Sequence, residues 1–524
     1  MTISETTPVT LESVPPALRA MVRGAVHGLG DAGYATPGFN LAVTRTPCAV
    51  VDVADTDDVA AVIRYAGDAG LKVAVFATGH GGVEVGPDTI LIRTAALDTC
   101  EIDPAGRTAR IGAGVRVQTV LDAAAPHGLA MVCGSSTTVG VVGFLTGAGI
   151  GPLVRTLGSS AAYVRSVRVV TGDGAVKEAS AQVNPELFWG LRGGKATLGI
   201  ITEVVVDLLP ISDIYGGALY FDGTDAAALL RAWRDWASDL PREAGTSAAL
   251  LQLPEMPGVP PILAGKLTLA VRFATTADPD TGAQLLAPMR AAATPLLDAV
   301  APLPYAAIGA IHADPPVPMP AHEGTTLLRD LADGTIDAIV AATGPGSGSP
   351  LIVVELRQLG GAFADEPAVR SALCHRDAAF NLHSVGVLAP PIAELVVSTN
   401  SALIAAVEPW STGTSLPNFS ASADPAVIRA CYDDDTYAWL APPHATRLAQ
   451  LDGLRRTVYV SGFSKILTPQ WRVGYLAAPP ALVDRFVDTK LLSTLSTPGP
   501  LEQALACCLD QGTLRRHAER VVQR

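Results

Sequence analysis

The sequence predicts an α+β protein of several domains, and three observations carry that expectation. A helix-then-strand unit at 56–77 runs into a glycine turn, a hairpin and a long apolar strand fill 164–209, and from about residue 211 longer amphipathic helices alternate with strands. A chain of 524 residues has the length of about three or four ordinary domains and can bury large cores. Hydrophobic residues at 49%, charged residues at 17% and a net charge of -13 describe a soluble, acidic, well-packed protein. That balance argues against nucleic acid and anionic membranes as partners.

Taken in order, the N-terminus carries Glu5, Glu12 and prolines 8, 15 and 16, and has no apolar block of the kind that directs secretion, so a cytoplasmic protein is expected. Thr56 is expected to cap a helix whose first turn holds Asp57 and Asp58, with Val59, Val62, Ile63 and Ala66 as its apolar stripe and Gly70 as its end. A strand over 72–77 follows, another over 108–115, then a short helix over 117–125 closed by Gly128. Residues 164–179 read as a hairpin about Thr-Gly-Asp-Gly, Asn184 as the cap of a helix with Pro185 in its first turn, and 198–209 as a strand ended by Pro210. Beyond it come helices over 225–238 (behind Thr224) and 283–300, a strand over 351–357, and Pro- and Gly-rich loops at 253–261, 314–320 and 344–350.

Two segments point to a ligand. In the first, a strand alternating Val73, Val75 and Ala77 stops at Thr78-Gly79-His80-Gly81-Gly82, where one histidine sits among residues small enough for the chain to press against a ligand. In the second, residues 134–151, the hydroxyls of Ser135 and Ser136 precede Gly140, Gly143, Gly147, Gly149 and Gly151. Main-chain amides and hydroxyls so spaced can surround phosphate oxygens, which implies a large phosphate-bearing cofactor. The same uncharged stretch, 129–154, is too rich in Gly, Ser and Thr to be a good membrane span. The glycines lack the strand, helix and distal acid of a dinucleotide fingerprint, and the chain has no Walker lysine motif, no His-Glu-x-x-His and no Gly-x-Ser-x-Gly. Seven cysteines without CxxC spacing are expected to be reduced thiols, the vicinal Cys507 and Cys508 included.

Four motifs carry a resemblance: Thr-Gly-His-Gly-Gly at 78–82, Val-Gly-Val-Val-Gly-Phe at 139–144, Gly-Ala-Gly-Ile-Gly-Pro at 147–152 and Leu-Phe-Trp-Gly-Leu-Arg-Gly-Gly-Lys at 187–195. In order and spacing they resemble the FAD-linked oxidases of the berberine bridge enzyme type, within the vanillyl-alcohol oxidase superfamily, over residues 40–430. The resemblance implies a two-subdomain FAD-binding fold over 1–210, an antiparallel-sheet substrate domain over 211–405 and a return segment over 406–433. It implies FAD bound covalently through His80, with Thr78, Gly79, Gly81, Gly82, Gly134, Ser135, Ser136, Val139, Gly140, Gly143, Gly147, Gly149, Gly151, Gly199, Ile200 and Asn418 as cofactor contacts. Some relatives add a cysteine link where Ser136 stands, so a single bond is expected. The family often has glycine at Ala148, and Gly-Asn at Ala196-Thr197, and its closing asparagine motif is not visible here.

The tail resembles a second family. Asp434-Asp-Thr-Tyr437, then Ser-Gly-Phe-Ser-Lys465 and Trp-Arg472-Val-Gly-Tyr, are similar to the core of fold-type I aminotransferases, implying a partial α/β segment over 434–524. By that resemblance Asp434 would pair with the pyridine nitrogen of pyridoxal phosphate (PLP), Tyr437 with its phenolic oxygen, Lys465 would form the imine and Arg472 would hold the phosphate.

On the substrate side, Glu355 and Arg357 share one face of a strand and are the candidate catalytic pair, with a strand-edge ion pair as the alternative. Tyr163, Tyr305, His312 and His383 are weaker candidates. Trp233 and Trp236, three apart on a helix, read as core, and Glu203 and Asp207 as solvated. The function expected is an FAD-dependent oxidase passing a hydride from an alcohol, sugar or secondary metabolite to flavin, with O2 as acceptor. The alternatives are a PLP-dependent aminotransferase or PLP-binding fragment, and an inactive fusion. No metal is expected.

Overall fold

A computed structural model describes residues 14–195, 197–256 and 259–440, with the backbone of 459–462 and 474–477. The chain divides into two compact units, Met1–Leu440 and Ala441–Arg524.

The first unit opens with α1 (Val14–Arg19) and a four-stranded sheet of β1 (Ala25–His27), β2 (Ala49–Asp52), β3 (Lys72–Phe76) and β4 (Thr89–Arg93) in the order β1-β2-β4-β3. Strands β2, β4 and β3 run parallel, so β2 must reach β3 by a crossover, and α2 (Thr56–Ala69) supplies it. Its stripe of Val59, Val62, Ile63 and Ala66 is buried with Val51, Ile90 and Ile92. The cap is Asp55 rather than Thr56: Asp55 is in extended backbone and its carboxylate accepts the amides of Asp57 and Asp58. Asp58 is not a solvated dipole partner but is buried, accepting the amides of Arg23, Gly24 and Ala54 at 2.8–2.9 Å.

A five-stranded antiparallel sheet follows, with β5 (Cys100–Asp103), β6 (Thr108–Gly112), β7 (Val164–Val170), β8 (Val176–Ser180) and β9 (Ile200–Asp207) ordered β5-β6-β9-β7-β8. Between β6 and β7 lie α3 (Val117–Ala124), α4 (Val141–Thr146) and α5 (Val154–Leu157), and α6 (Pro185–Leu191) precedes β9. Asn184 does not cap α6 through its side chain, which instead donates to the Glu178 carbonyl at 2.7 Å.

The third layer is an eight-stranded sheet of β10 (Asp213–Asp222), β11 (Ala244–Gln252), β12 (Leu267–Thr275), β13 (Leu297–Asp298), β14 (Ala301–Pro304), β15 (Ala321–Leu328), β16 (Leu351–Gln358) and β17 (Phe380–Val387). Its order is β13-β10-β12-β11-β16-β17-β15, with β14 also on β10. One face is covered by α7 (Ala226–Ser238), α8 (Pro279–Ala292), α9 (Asp333–Thr343) and α10 (Ala393–Ala406), over a core including Trp233, Trp236, Leu250, Val354 and Leu382. A turn of 3-10 helix, Gly223–Asp225, precedes α7 and is capped by Asp222 rather than Thr224, and Asp278 starts α8 before the expected 283. Pro295 prevents that helix from continuing to 300, so 297–304 form strands instead.

Two short helices, α11 (Pro425–Arg429) and α12 (Asp434–Leu440), complete this unit. The expected boundary after 433 is therefore too early: Trp439 packs edge-on against Trp189 at 4.8 Å, and Leu440 is buried with Cys374, Cys431 and Tyr432. In the second unit, β18 (Tyr459–Gly462) pairs antiparallel with β19 (Gly474–Ala477), and the rest of the aminotransferase-like segment, like Cys507 and Cys508, lies outside the described residues. Among the described residues no helix is long and apolar enough to cross a membrane.

Candidate flavin site

The glycine turn and the glycine run meet. Thr78 Oγ1 accepts the Gly140 amide at 3.2 Å, and His80 Nε2 lies 3.0 Å from Thr138 Oγ1, which is itself 3.0 Å from Ser136 Oγ. The turn can come this close because Gly79 adopts φ +72, a left-handed conformation, with a Cβ there falling 2.6 Å from Gly38 Cα. The His80 ring is half-buried and stacked on Phe39 at 3.9 Å and 15°. Burial, aided by the nearby Arg116 charge, lowers its pKa to about 4, so the imidazole is neutral at physiological pH.

Arg45 lies beside the same turn. A Cβ on Gly82 would stand 2.2 Å from Arg45 Nη2, and that nitrogen is buried without a hydrogen-bond partner. Arg45 Nη1 donates to the Val43 carbonyl at 3.3 Å, and the unpartnered Nη2 beside a glycine turn suits a diphosphate oxygen, so the donor set fits the cofactor that the sequence implies. Arg45, Thr138 and Phe39 were not singled out by sequence. Thr138 had a signal, since it closes the hydroxyl cluster; Arg45 had none.

The glycines divide into two groups. Gly143 is exposed with open space where its Cβ would be, and Gly140 starts α4. By contrast, a Cβ on Gly149 would lie 2.1 Å from the Phe144 ring, one on Gly151 1.9 Å from the Cys133 carbonyl oxygen, and one on Gly134 3.1 Å from Phe144. These three let the run fold on itself. Likewise Gly199, at φ +150, lies against the Val170 carbonyl, and Ile200 is a buried strand residue paired with Val170. Val139 gives its carbonyl to the Val117 amide. Ala148 holds φ +52, a conformation that explains a preference for glycine at that position.

The return segment does reach the site. Asn418 Nδ2 donates to the Phe144 carbonyl at 2.9 Å while its Oδ1 accepts a short hydrogen bond from Lys195 Nζ. Gly147 is glycine for this reason, because a Cβ would fall 1.9 Å from Asn418 Oδ1. Lys195 Nζ lies 3.9 Å from where a Gly81 Cβ would be, and desolvation lowers its pKa to about 8. Lys195 thus joins the turn, the run and the return segment.

Glu355 and Arg357 occupy the face of the large sheet opposite its helices. They are not at a strand edge: β16 lies between β11 and β17, and both are buried. Glu355 lies 3.2 Å from Arg357 Nη2, 3.1 Å from Arg272 Nη1 and 3.0 Å from His312 Nε2. Although burial opposes ionisation, the two guanidiniums hold its carboxyl well below the usual range. Burial and Arg272 lower the His312 pKa. Arg272 had a legible signal, being the one charge in Leu-Thr-Leu-Ala-Val-Arg-Phe-Ala-Thr.

The weaker candidates separate. Tyr163 and Tyr305 donate to the Leu157 and Met131 carbonyls, structural roles, whereas His383 packs edge-on against Phe419 at 5.3 Å. Glu203 pairs with Arg110 at 2.6 Å and Arg168 at 3.4 Å, and Asp207 with Arg165, so neither is merely solvated. Asp434 pairs with Arg429, whose guanidinium stacks over Tyr437 at 4.9 Å; both belong to α12 of the first unit. Lys465 and Arg472 lie outside the described residues.

Comparison with known proteins agrees with this geometry. Residues 47–180 match the family model described as FAD binding domain. Among curated relatives, (R)-6-hydroxynicotine oxidase of Paenarthrobacter nicotinovorans is 34% identical over 166 residues, 31% of this chain and 36% of the relative. The aligned parts span about a quarter to a half of the curated relatives' length. The solved 6-hydroxy-D-nicotine oxidase from Arthrobacter nicotinovorans superposes with TM-score 0.70 at 23% identity, covering 82% of this chain and 96% of that one. Physcomitrella patens BBE-like 1 does so with TM-score 0.71 at 19% identity, over 85% and 97%. These likenesses extend the shared fold through the eight-stranded sheet. They lend nothing to the aminotransferase reading.

Proposed function

We propose that the chain is an FAD-dependent oxidase of small molecules, with an alcohol, a sugar hydroxyl or a secondary metabolite as substrate class and O2 as electron acceptor. The observation that carries this reading is the joint of Thr78 with Gly140 and of His80 with Thr138, which makes one site of the turn and the run beside the unpartnered Nη2 of Arg45. Bound there, FAD would take a hydride equivalent from a substrate carbon and pass its electrons to O2.

The protein's part is binding and position. Amides of Gly79, Gly81 and Gly82, the hydroxyls of Ser135 and Ser136 and the Arg45 guanidinium would receive the diphosphate, and His80 would anchor the ring covalently. Kept ionised by two arginines, Glu355 is suited to accept a substrate hydrogen bond and poorly suited to take a proton. Lys195, at about 8, titrates in the range that a proton acceptor requires.

Acid precipitation tests the assignment. Yellow colour is expected to stay with the wild-type pellet and to leave with the supernatant in His80→Ala; a colourless wild-type protein that cannot be reconstituted with FAD refutes it. A second reading, PLP on Lys465 with its phosphate on Arg472, is supported by the tail motif alone. Borohydride reduction followed by mass mapping decides it, since an unlabelled Lys465 ends that reading.

A further inference from the structure

Three adjacent strands of the large sheet place Arg272, Ser247 and Arg357 in a row. Ser247 is paired with Arg272 across β11 and β12 and with Arg357 across β11 and β16, so the three side chains share a face with one small residue between two guanidiniums. Ser247 is too small to fill the space between the two arginines, and Pro152 closes over Gly245 on the same face of β11, where a Cβ would fall 2.3 Å from the Pro152 carbonyl oxygen. A cavity results, lined by Ser247, Arg272, His312 and Arg357 from the sheet side and by Pro152, just past the glycine run.

Its walls carry an unanswered charge. Two guanidiniums face one carboxylate, Glu355, and a histidine whose burial favours the neutral form, leaving a net charge of one positive among groups only 4–7% exposed. Hydrogen bonding is unfinished in the same direction: Arg272 Nε, Arg357 Nε, Ser247 Oγ and His312 Nδ1 are all buried without a partner. Arg272 Nη1, although 3.1 Å from Glu355, is not aligned to donate to it. Buried charge is normally paired, and buried donors are normally satisfied. What would complete this cluster is one negative charge with acceptor capacity.

We propose that the cavity between Ser247, Arg272, His312 and Arg357 binds a small monovalent anion, either a free halide or the carboxylate of an organic molecule. The anion accepts hydrogen bonds from the Nε–H groups of both arginines and from the Ser247 hydroxyl, and so neutralises the cluster. The inference stands on the sheet alone and does not depend on flavin chemistry.

The test uses the full chain, crystallised with sodium bromide in place of chloride. An anomalous bromine peak in contact with Arg272, Arg357 and Ser247 is expected; a water or no anomalous signal there overturns the proposal. Adding formate, the smallest carboxylate, separates the sources: if it displaces the bromide the site accepts carboxylates, and if bromide persists it is a halide site. In solution, bromide at fixed ionic strength should raise the melting temperature of wild-type protein but not of Arg272→Gln, which removes the surplus charge. An equal rise in both refutes specific binding, and should Arg272→Gln fail to fold, the wild-type crystals decide alone.

Discussion

His80 Nε2 lies 3.0 Å from Thr138 Oγ1, and no protein group among the described residues hydrogen-bonds Nδ1 of the same ring. The threonine therefore leaves Nδ1 as the nitrogen able to bond elsewhere, while Phe39 restrains the ring plane. Thr138→Val should lower the fraction of protein carrying covalent flavin while leaving the fold intact, read as the ratio of flavin to protein absorbance after acid washing. Full flavinylation of Thr138→Val would show that the contact is incidental.

Because its pKa is lowered to about 4, His80 should titrate far below a free imidazole. The sign follows from the folded value lying below the unfolded one: the neutral ring's contribution to stability is complete above about 6.5 and is lost as the pH falls toward 4. The ring's NMR signal, followed in protein produced without flavin, should show a midpoint near 4; a midpoint above 6 contradicts its burial.

Asn418→Ala should destabilise the first unit by about 1–3 kcal/mol at pH 7, the usual cost of leaving a buried donor without its acceptor. That donor is the Lys195 ammonium, which loses its charge above about 8. The difference between wild type and variant should therefore shrink in urea melts at pH 9. An undiminished difference would place the effect elsewhere.

Glu355→Gln leaves two buried guanidiniums without a counter-charge and should cost about 3–5 kcal/mol, seen as a lower melting temperature. With the folded carboxyl pKa held well below its ordinary value, the Glu355 contribution is present above the ordinary glutamate range and declines as acid approaches the folded value. Wild type should keep its advantage over the variant at pH 5.

Two alanine substitutions should separate the glycine groups. Gly151→Ala drives a Cβ to 1.9 Å from a main-chain oxygen and should destabilise by about 1–3 kcal/mol whether or not flavin is present. Gly143→Ala meets nothing within 4 Å and should leave the melting temperature of flavin-free protein unchanged while weakening flavin uptake.

Periodicity and turn chemistry made most of the fold legible. The stripe of α2 and the hairpin of β7 and β8 lie where alternation and Thr-Gly-Asp-Gly put them. Caps were less so: Asp55 and Thr56 are both competent, and only the backbone conformation decides between them. The glycine run showed where small residues are needed but not what fills the space, which is Phe144 or Cys133 at some positions and open at Gly143. For Glu355 and Arg357 the shared face could be read from strand period, whereas Arg272 and Ser247 enter only through strand register, which no local pattern encodes.

Asn418 ties itself to Phe144 across 274 positions and to Lys195 across 223. Closing loops of that length comes late in folding, after local hairpins and helices have formed. A dinucleotide that prefers the docked return segment would act as its clasp, so loading with flavin should slow unfolding of the whole unit and protect amides at both ends of the loop from exchange with solvent.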